Sequence, residues 1–244
     1  MKVRICDDRP AAVHAAAAAV ADLLREAIVT ARRARMLVGA VSEEMLAALS
    51  QQPDVRWAEV ELFHSDEWVG LAAEHPASRR RELFDALITP TRMGRYHLLD
   101  AEHDIERTCR HVGAALAANP IDVALVEIGI HAELGWNVAP SDFLTERPFL
   151  VVRVDEANRG RQLEKGNFPT LGDVPEWAVT VSLRQLMKAR AVVCLAAGVQ
   201  SAEAVRRCVN GIVSPLAPAS ILQTHPRATL FVDVTSAALL PSGR

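Results

Sequence analysis

Apolar and polar positions alternate along this chain in two rhythms. From Ala11 to Arg35 the run "AAVHAAAAAVADLLREAIVTARRAR" repeats its apolar residues at spacings of three and four among strong helix formers, which predicts one long helix. "MLVGA" follows as a short buried strand, and "SEEMLAAL" as a helix with Ser42 at its N-cap and Glu43 and Glu44 in the first turn. "VRWAEVELF" switches to strict alternation and reads as a strand ending at Phe63. Helices at "SRRRELFDALI" and "AEHDIERTCRHVGAALAA" and a strand at "IDVALVEIG" continue the rhythm, and "FLVVRVD" adds a further apolar run. The stretch 156–176, rich in Gly, Asn, Pro and charge, then breaks it and reads as a long loop or lid, since structureless connections of that length in a compact domain are often functional. The pattern resumes with "AVTVSLRQLMKA", "AVVCLAAG", "SAEAVRRCVNG" and "ATLFVDV". Strands alternating with helices predict an α/β fold: a doubly wound, mostly parallel sheet flanked by helices. The expectation is one domain over 1–244 with a lid at about 157–174.

Composition narrows this picture. Half of the 244 residues are hydrophobic, enough for a substantial core. The formal charge of -3 is spread along the chain, and the longest basic run, "SRRRE" around Arg79 to Arg81, reads as a solvated helix face, so neither nucleic acid nor a membrane surface is an expected partner. The four cysteines, Cys6, Cys109, Cys194 and Cys208, lack metal-ligand spacing and suit a reducing, cytoplasmic setting. The start, "MKVRICDDRP", carries acids where a secretion signal needs an apolar core, and no apolar run has the length of a membrane span.

In open α/β sheets ligands bind beyond the carboxyl ends of the strands. That rule selects "VGAVSEE", "HSDEWVG", "EIGIHAELGWN" and "AAGVQSAE". The second holds two adjacent acids, Asp66 and Glu67, directly after a strand. On spacing alone they are either a base at the rim of the sheet or acids at a turn or helix start, where the N-terminal dipole favours them.

These stretches, in this order, resemble the glucosamine-6-phosphate deaminase/isomerase family, whose relatives include the 6-phosphogluconolactonases. "HSDEWVGL" is similar to the family's D-E-Y-V-G segment, and the chain from "DVPEWAVTV" through "PASILQTHP" to "TSAALL" looks like its C-terminal third. The resemblance covers nearly the whole chain. It implies the doubly wound fold and a chemistry that opens an aminosugar ring, moves a proton between C1 and C2 through an enediol-like intermediate and releases ammonia. It also implies Asp66 as the enolising base, with Glu67 as its neighbour in the motif, and it calls for no metal and no cofactor.

The remaining positions depart from the family pattern. Where the family has G-x-D-G-H followed by F-N-E, this chain has Gly129, Ile130, His131, Ala132, Glu133, then Trp136, Asn137, Val138. His131 and Glu133 are either an acid/base couple with the two residue types exchanged or polar residues of a loop that no longer catalyses. The T-G-G-T-P type loop that cradles the sugar phosphate in the family is here only "VGAVSEEM". Gly39 and Ser42 remain as candidate contacts, and Glu43 and Glu44 are expected where an anion would sit. The phosphate-holding lysine falls at Ser201, and Arg159, Arg161 and Lys165 compete for the lid arginine. The candidate binding set is therefore Gly39, Ser42, Gly129, Asn137, Arg161, Lys165 and Ser201.

The expected function is proton transfer next to a carbonyl on a sugar, aminosugar or sugar phosphate, with an altered or unphosphorylated substrate. A catalytically silent sugar-binding or regulatory relative is the alternative of a different class. A lactonase is the weaker one, because that branch also relies on the histidine replaced here by Glu133. The oligomeric state, a homo-oligomer included, stays open.

Overall fold

The computed structural model describes residues 1–241. Its ten strands are β1 (Lys2–Cys6), β2 (Ala34–Val38), β3 (Val60–His64), β4 (Asp66–Trp68), β5 (Arg95–His97), β6 (Val123–Glu127), β7 (Phe149–Arg153), β8 (Trp177–Val181), β9 (Ala191–Ala196) and β10 (Ala228–Asp233). Its α-helices are α1 (Arg9–Ala31), α2 (Glu43–Ser50), α3 (Arg79–Leu83), α4 (Thr89–Thr91), α5 (Ile105–Ala117), α6 (Glu156–Glu164), α7 (Leu183–Leu186) and α8 (Ala202–Asn210). A π-helical stretch, Phe84–Ile88, joins α3 to α4.

Seven strands form one parallel sheet in the order β1-β10-β9-β6-β2-β3-β5. Both faces are covered, as the continuous apolar runs of the inner strands require. In β6, Ala124 and Val126 enter the core on the side of α5 and α8, while Val123 and Leu125 enter the core under α1 and α2. The α/β, mostly parallel class read from the sequence is the class observed.

Boundaries and edges differ from expectation. The first helix stops at Ala31 because Arg32 takes a left-handed conformation at φ 61°, and β2 begins two residues later. Asp8 caps its start by accepting from the Ala11 N–H. Charged residues interrupt the edge strand β1, KVRIC, and the edge strand β5, RYH, has only three residues, so no apolar run announces them. β4, β7 and β8 leave the main sheet and form a second, antiparallel one in the order β4-β8-β7. The presumed loop at 156–176 contains α6, capped by Asp155, which accepts from the Asn158 N–H; with Gly160 inside it and Leu163 its one strongly apolar residue, it shows no helical periodicity. Among the described residues no helix is long and apolar enough to cross a membrane.

The chain order reverses between β2 and β6: β3 and β5 extend the sheet on one side of β2, and β6 begins the other. A crevice opens at the carboxyl ends of such a pair. The second sheet, reached from β3 through the single residue Ser65, lies against it.

Candidate active site

The crevice, of about 390 Å³, is lined by the residues after β2 (Ala40 to Ser42), the end of β6 and its following loop (Glu127 to Ile130, Glu133, Gly135, Trp136), Asp66 and Trp68 of β4, Arg79 and Glu82 of α3, and Asn158, Arg161, Gln162 and Lys165 around α6.

Asp66 is 1% exposed and opens onto this space. Its Oδ1 accepts from the Ser65 hydroxyl. Its Oδ2 accepts no hydrogen bond and lies 3.8 Å from Arg79 Nε. Burial pushes the Asp66 carboxyl above the ordinary aspartate range, although Arg79, the Ser65 hydroxyl and the Ala40 N–H oppose the shift. A buried carboxylate oxygen without a donor is costly to maintain, and in a crevice it is a ready proton acceptor.

Glu67 points the other way, since successive side chains of a strand lie on opposite faces. It is 0% exposed, lies outside the crevice lining, and accepts from the N–H groups of Trp68 (2.8 Å), Arg79 (3.2 Å) and Arg80 (2.9 Å) and from the Ser78 hydroxyl (3.0 Å). Its place is the start of α3, which it ties to β4. The expected catalytic neighbour of Asp66 is thus an internal anchor, and through α3 it fixes Arg79.

His131 and Glu133 do not form a side-chain couple. Glu133 lines the crevice, but its Oε2 accepts from the His131 backbone N–H at 2.8 Å, while the exposed His131 ring sets Nε2 2.9 Å from Arg161 Nη1. Gly129 makes room for this loop: a Cβ there would overlap the Glu133 carboxyl. Gly135 is needed for a different reason, with φ +58° and Thr180 Oγ1 only 2.9 Å from where its Cβ would be.

Three expected binding residues turn away from the crevice. Gly39 donates its N–H to the Leu125 carbonyl, and a Cβ there would press on Val126 at 3.0 Å. Asn137 is buried and spends its amide donors on Leu134 and Val181 carbonyls and Thr180 Oγ1. Ser201 is buried and donates to the Ala197 carbonyl at 3.3 Å. Ser42 does line the crevice, yet its hydroxyl does not cap α2; it donates to Glu127 Oε1 at 2.6 Å. Glu43 and Glu44 are exposed and outside the lining, Glu44 pairing with Arg9 at 2.8 Å, so the carboxylate at the end of α2 is Glu127 instead.

Among the lid cations, Arg159 is tied to the carbonyls of Val174 and Leu171, which leaves Arg161 and Lys165 in the crevice. Burial, and then Arg79, pull the Lys165 ammonium below the ordinary lysine value. The "SRRRE" face is not solvated as a whole. Arg79 enters the crevice, where it pairs with Glu82, and Arg80 is buried against Asp100 and the Leu71 carbonyl; only Arg81 is exposed. Successive helical residues are about 100° apart, so three in a row cover more than half of the circumference and cannot share one wet face. That signal was present in the sequence. So was Glu127, the one charged residue of the apolar strand "VALVE", at its carboxyl end. Trp68 and Trp136, rings 4.4 Å apart, form an aromatic wall that no spacing marks. Among the described residues, the His and acid side chains close enough to share an ion are Asp100, Glu102 and His103, exposed and outside the crevice.

A parallel sheet with a small antiparallel sheet over its carboxyl edge, and a free buried carboxylate between them, defines an α/β protein built around a polar small-molecule crevice. The family model described as glucosamine-6-phosphate isomerases/6-phosphogluconolactonase matches residues 7–131, just over half of the chain, and this protein belongs to that family. It is 31% identical over 208 residues to a glucosamine-6-phosphate deaminase of Listeria innocua, covering 84% of this chain and 86% of the relative. To one of Pseudarthrobacter chlorophenolicus it is 37% identical over 188 residues, covering 73% and 69%. Among solved structures, a monomeric glucosamine-6-phosphate deaminase superposes with TM-score 0.88 at 24% identity over 98% of this chain and 100% of that one. A 6-phosphogluconolactonase from Thermotoga maritima gives 0.77 at 15% over 95% and 99%. At such identities these two structures speak for the fold alone.

Proposed function

We propose that this protein is a sugar isomerase- or deaminase-like enzyme that moves a proton next to a carbonyl, with Asp66 as the base, on a sugar or aminosugar that lacks the family's phosphate. The observation that carries this reading is the unpartnered Oδ2 of Asp66, a buried residue that lines the crevice, on a carboxyl that burial raises above the ordinary aspartate range. Arg79, 3.8 Å away and held by Glu82, is the cation beside the charge that develops on the carbonyl oxygen. The tilted pair Trp68 and Trp136 offers an apolar wall for the face of a sugar ring. Ser201 in place of the family lysine, turned away from the crevice, supports the loss of phosphate, as does the filled end of α2. The four free cysteines are in keeping with a cytoplasmic setting.

The test is isotope wash-in: aldoses, ketoses and hexosamines, each with and without a 6-phosphate, are incubated with the protein in heavy water and followed by proton NMR. The reading expects deuterium at C2 of an unphosphorylated sugar; wash-in into no sugar of the panel would defeat it. A silent sugar-binding relative is the second reading, favoured by the separation of the His131 ring from the Glu133 carboxyl, which leaves no couple for ring opening. It expects binding without wash-in.

A further inference from the structure

At the reversal point of the sheet the chain supplies its own anion. The Ser42 backbone N–H and hydroxyl, at the amino end of the eight-residue α2, both donate to Glu127 Oε1, at 3.0 and 2.6 Å. A helix amino terminus with free N–H groups is a ready anion site, and here a carboxylate of the protein occupies it. Glu127 Oε2 accepts no hydrogen bond and Glu127 pairs with no cation among the described residues, although it lines the crevice shared with Arg79, Arg161 and Lys165. Asp66, which lines the same crevice, carries a second carboxylate oxygen without a hydrogen-bond donor, the buried Oδ2. Two carboxylates with free oxygens in one crevice call for a ligand that brings hydrogen-bond donors, while a phosphate beside Glu127 would face a like charge with the nearest backbone donor already used.

We infer that Glu127 is the specificity-determining residue of this crevice: by filling the amino end of α2 it excludes a phosphate there and selects a sugar with a hydroxyl in the phosphate's place. The inference rests on the proposed reading of the crevice as a sugar site and names the class of sugar it takes. A hydroxyl there donates to Oε2 without bringing a like charge. Arg161 and Lys165 remain as cations on the lid side, and a phosphate held there instead would be the contrary arrangement.

The test is calorimetric titration of the full chain with glucosamine, glucose, glucosamine 6-phosphate and inorganic phosphate, for the wild type, Glu127→Gln and Glu127→Gly. In the glutamine variant the amide oxygen still accepts from Ser42 while the charge is gone; the glycine variant frees the helix end. The wild type is expected to bind glucosamine at least about tenfold more tightly than its 6-phosphate, the weight of one charge-assisted contact. Glu127→Gln should shift that ratio toward the phosphate by about tenfold or more, and Glu127→Gly should further raise affinity for inorganic phosphate. If the glutamine variant does not fold, the glycine variant alone decides. Wild-type preference for the 6-phosphate, binding of neither sugar, or an unchanged ratio in the folded variants overturns the inference. Because the readout is binding, a failure of isotope wash-in, which would defeat Asp66 as base, leaves this test intact.

Discussion

The two faces of β4 carry adjacent acids with opposite fates. Asp66 and Glu67 are both almost wholly buried, and burial raises both carboxyls. On one face four donors converge on Glu67 and make it the joint between β4 and α3. On the other, only two hydrogen-bond donors, the Ser65 hydroxyl and the Ala40 N–H, favour the charged form of Asp66, Oδ2 keeps no hydrogen-bond partner, and the residue lines the crevice. Burial by itself therefore does not separate a working carboxylate from a structural one. The count of donors does.

The comparison breaks most directly at Asp66. Asp66→Asn should lower isotope wash-in by at least about a hundredfold, the lower bound for a general base. Its melting temperature at neutral pH should stay level or rise, since a raised carboxyl is a burden on the fold once ionised. The sign is fixed by linkage: a folded-state value above the unfolded one favours the native state at low pH, and that advantage fades as pH climbs through the folded value. The variant should thus gain on the wild type as pH increases. Equal wash-in in both proteins would remove Asp66 from the chemistry.

Glu67→Ala should instead act mainly on stability. Three backbone N–H groups and a buried hydroxyl lose their acceptor, which costs on the order of 3 kcal/mol or more, or roughly 6–12 °C in melting temperature for a chain of this size. A variant as stable as the wild type would show that the donors around Glu67 are satisfied by other means.

His64, which ends β3 and is 2% exposed, sharpens the contrast from the acid side. Burial, with Arg79 and Arg80 nearby, pushes its imidazole down to about 3 from an ordinary 6.5. Here the folded value lies below the unfolded one, so the contribution is complete above pH 6.5 and is lost as pH falls toward 3. His64→Gln should flatten the acid limb of the stability curve; an unchanged limb would mean that other groups set it. The smallest effect is expected at His131, exposed and set against Arg161: His131→Ala should change stability by no more than about 0.5 kcal/mol and wash-in by less than about threefold, well below a general-base contribution. A hundredfold loss in that variant would restore the exchanged couple.

What the sequence disclosed and what it hid divide along similar lines. The inner strands and long helices were legible because both faces of the sheet are buried, which leaves continuous apolar runs at β6 and β9 and three-four spacing in α1. The edge strands and α6 were not, because their positions are set by neighbours and by the Asp155 cap instead of an apolar face of their own. Asp66 was legible through its motif. Its division from Glu67 was hidden, since the acids read as a strand end before the chain re-enters a strand at Asp66 and alternation separates them. Arg79 and Glu127 left signals, three arginines in a row that cannot share one wet face and one charge at the end of an apolar strand, but their meeting was hidden, since only the folded arrangement of α3 and of the end of β6 brings both to the crevice.

The most direct test of the central claim, that Asp66 alone of the β4 pair is held as a free buried base, needs no substrate. Carbon-13 labelling of aspartate side chains and titration by NMR, in the wild type and in Asp66→Asn, would isolate the Asp66 carboxyl. The account predicts one aspartate resonance that titrates clearly above the ordinary range and vanishes in the variant. Titration of every aspartate at or below that range, or persistence of the raised resonance in Asp66→Asn, would contradict it.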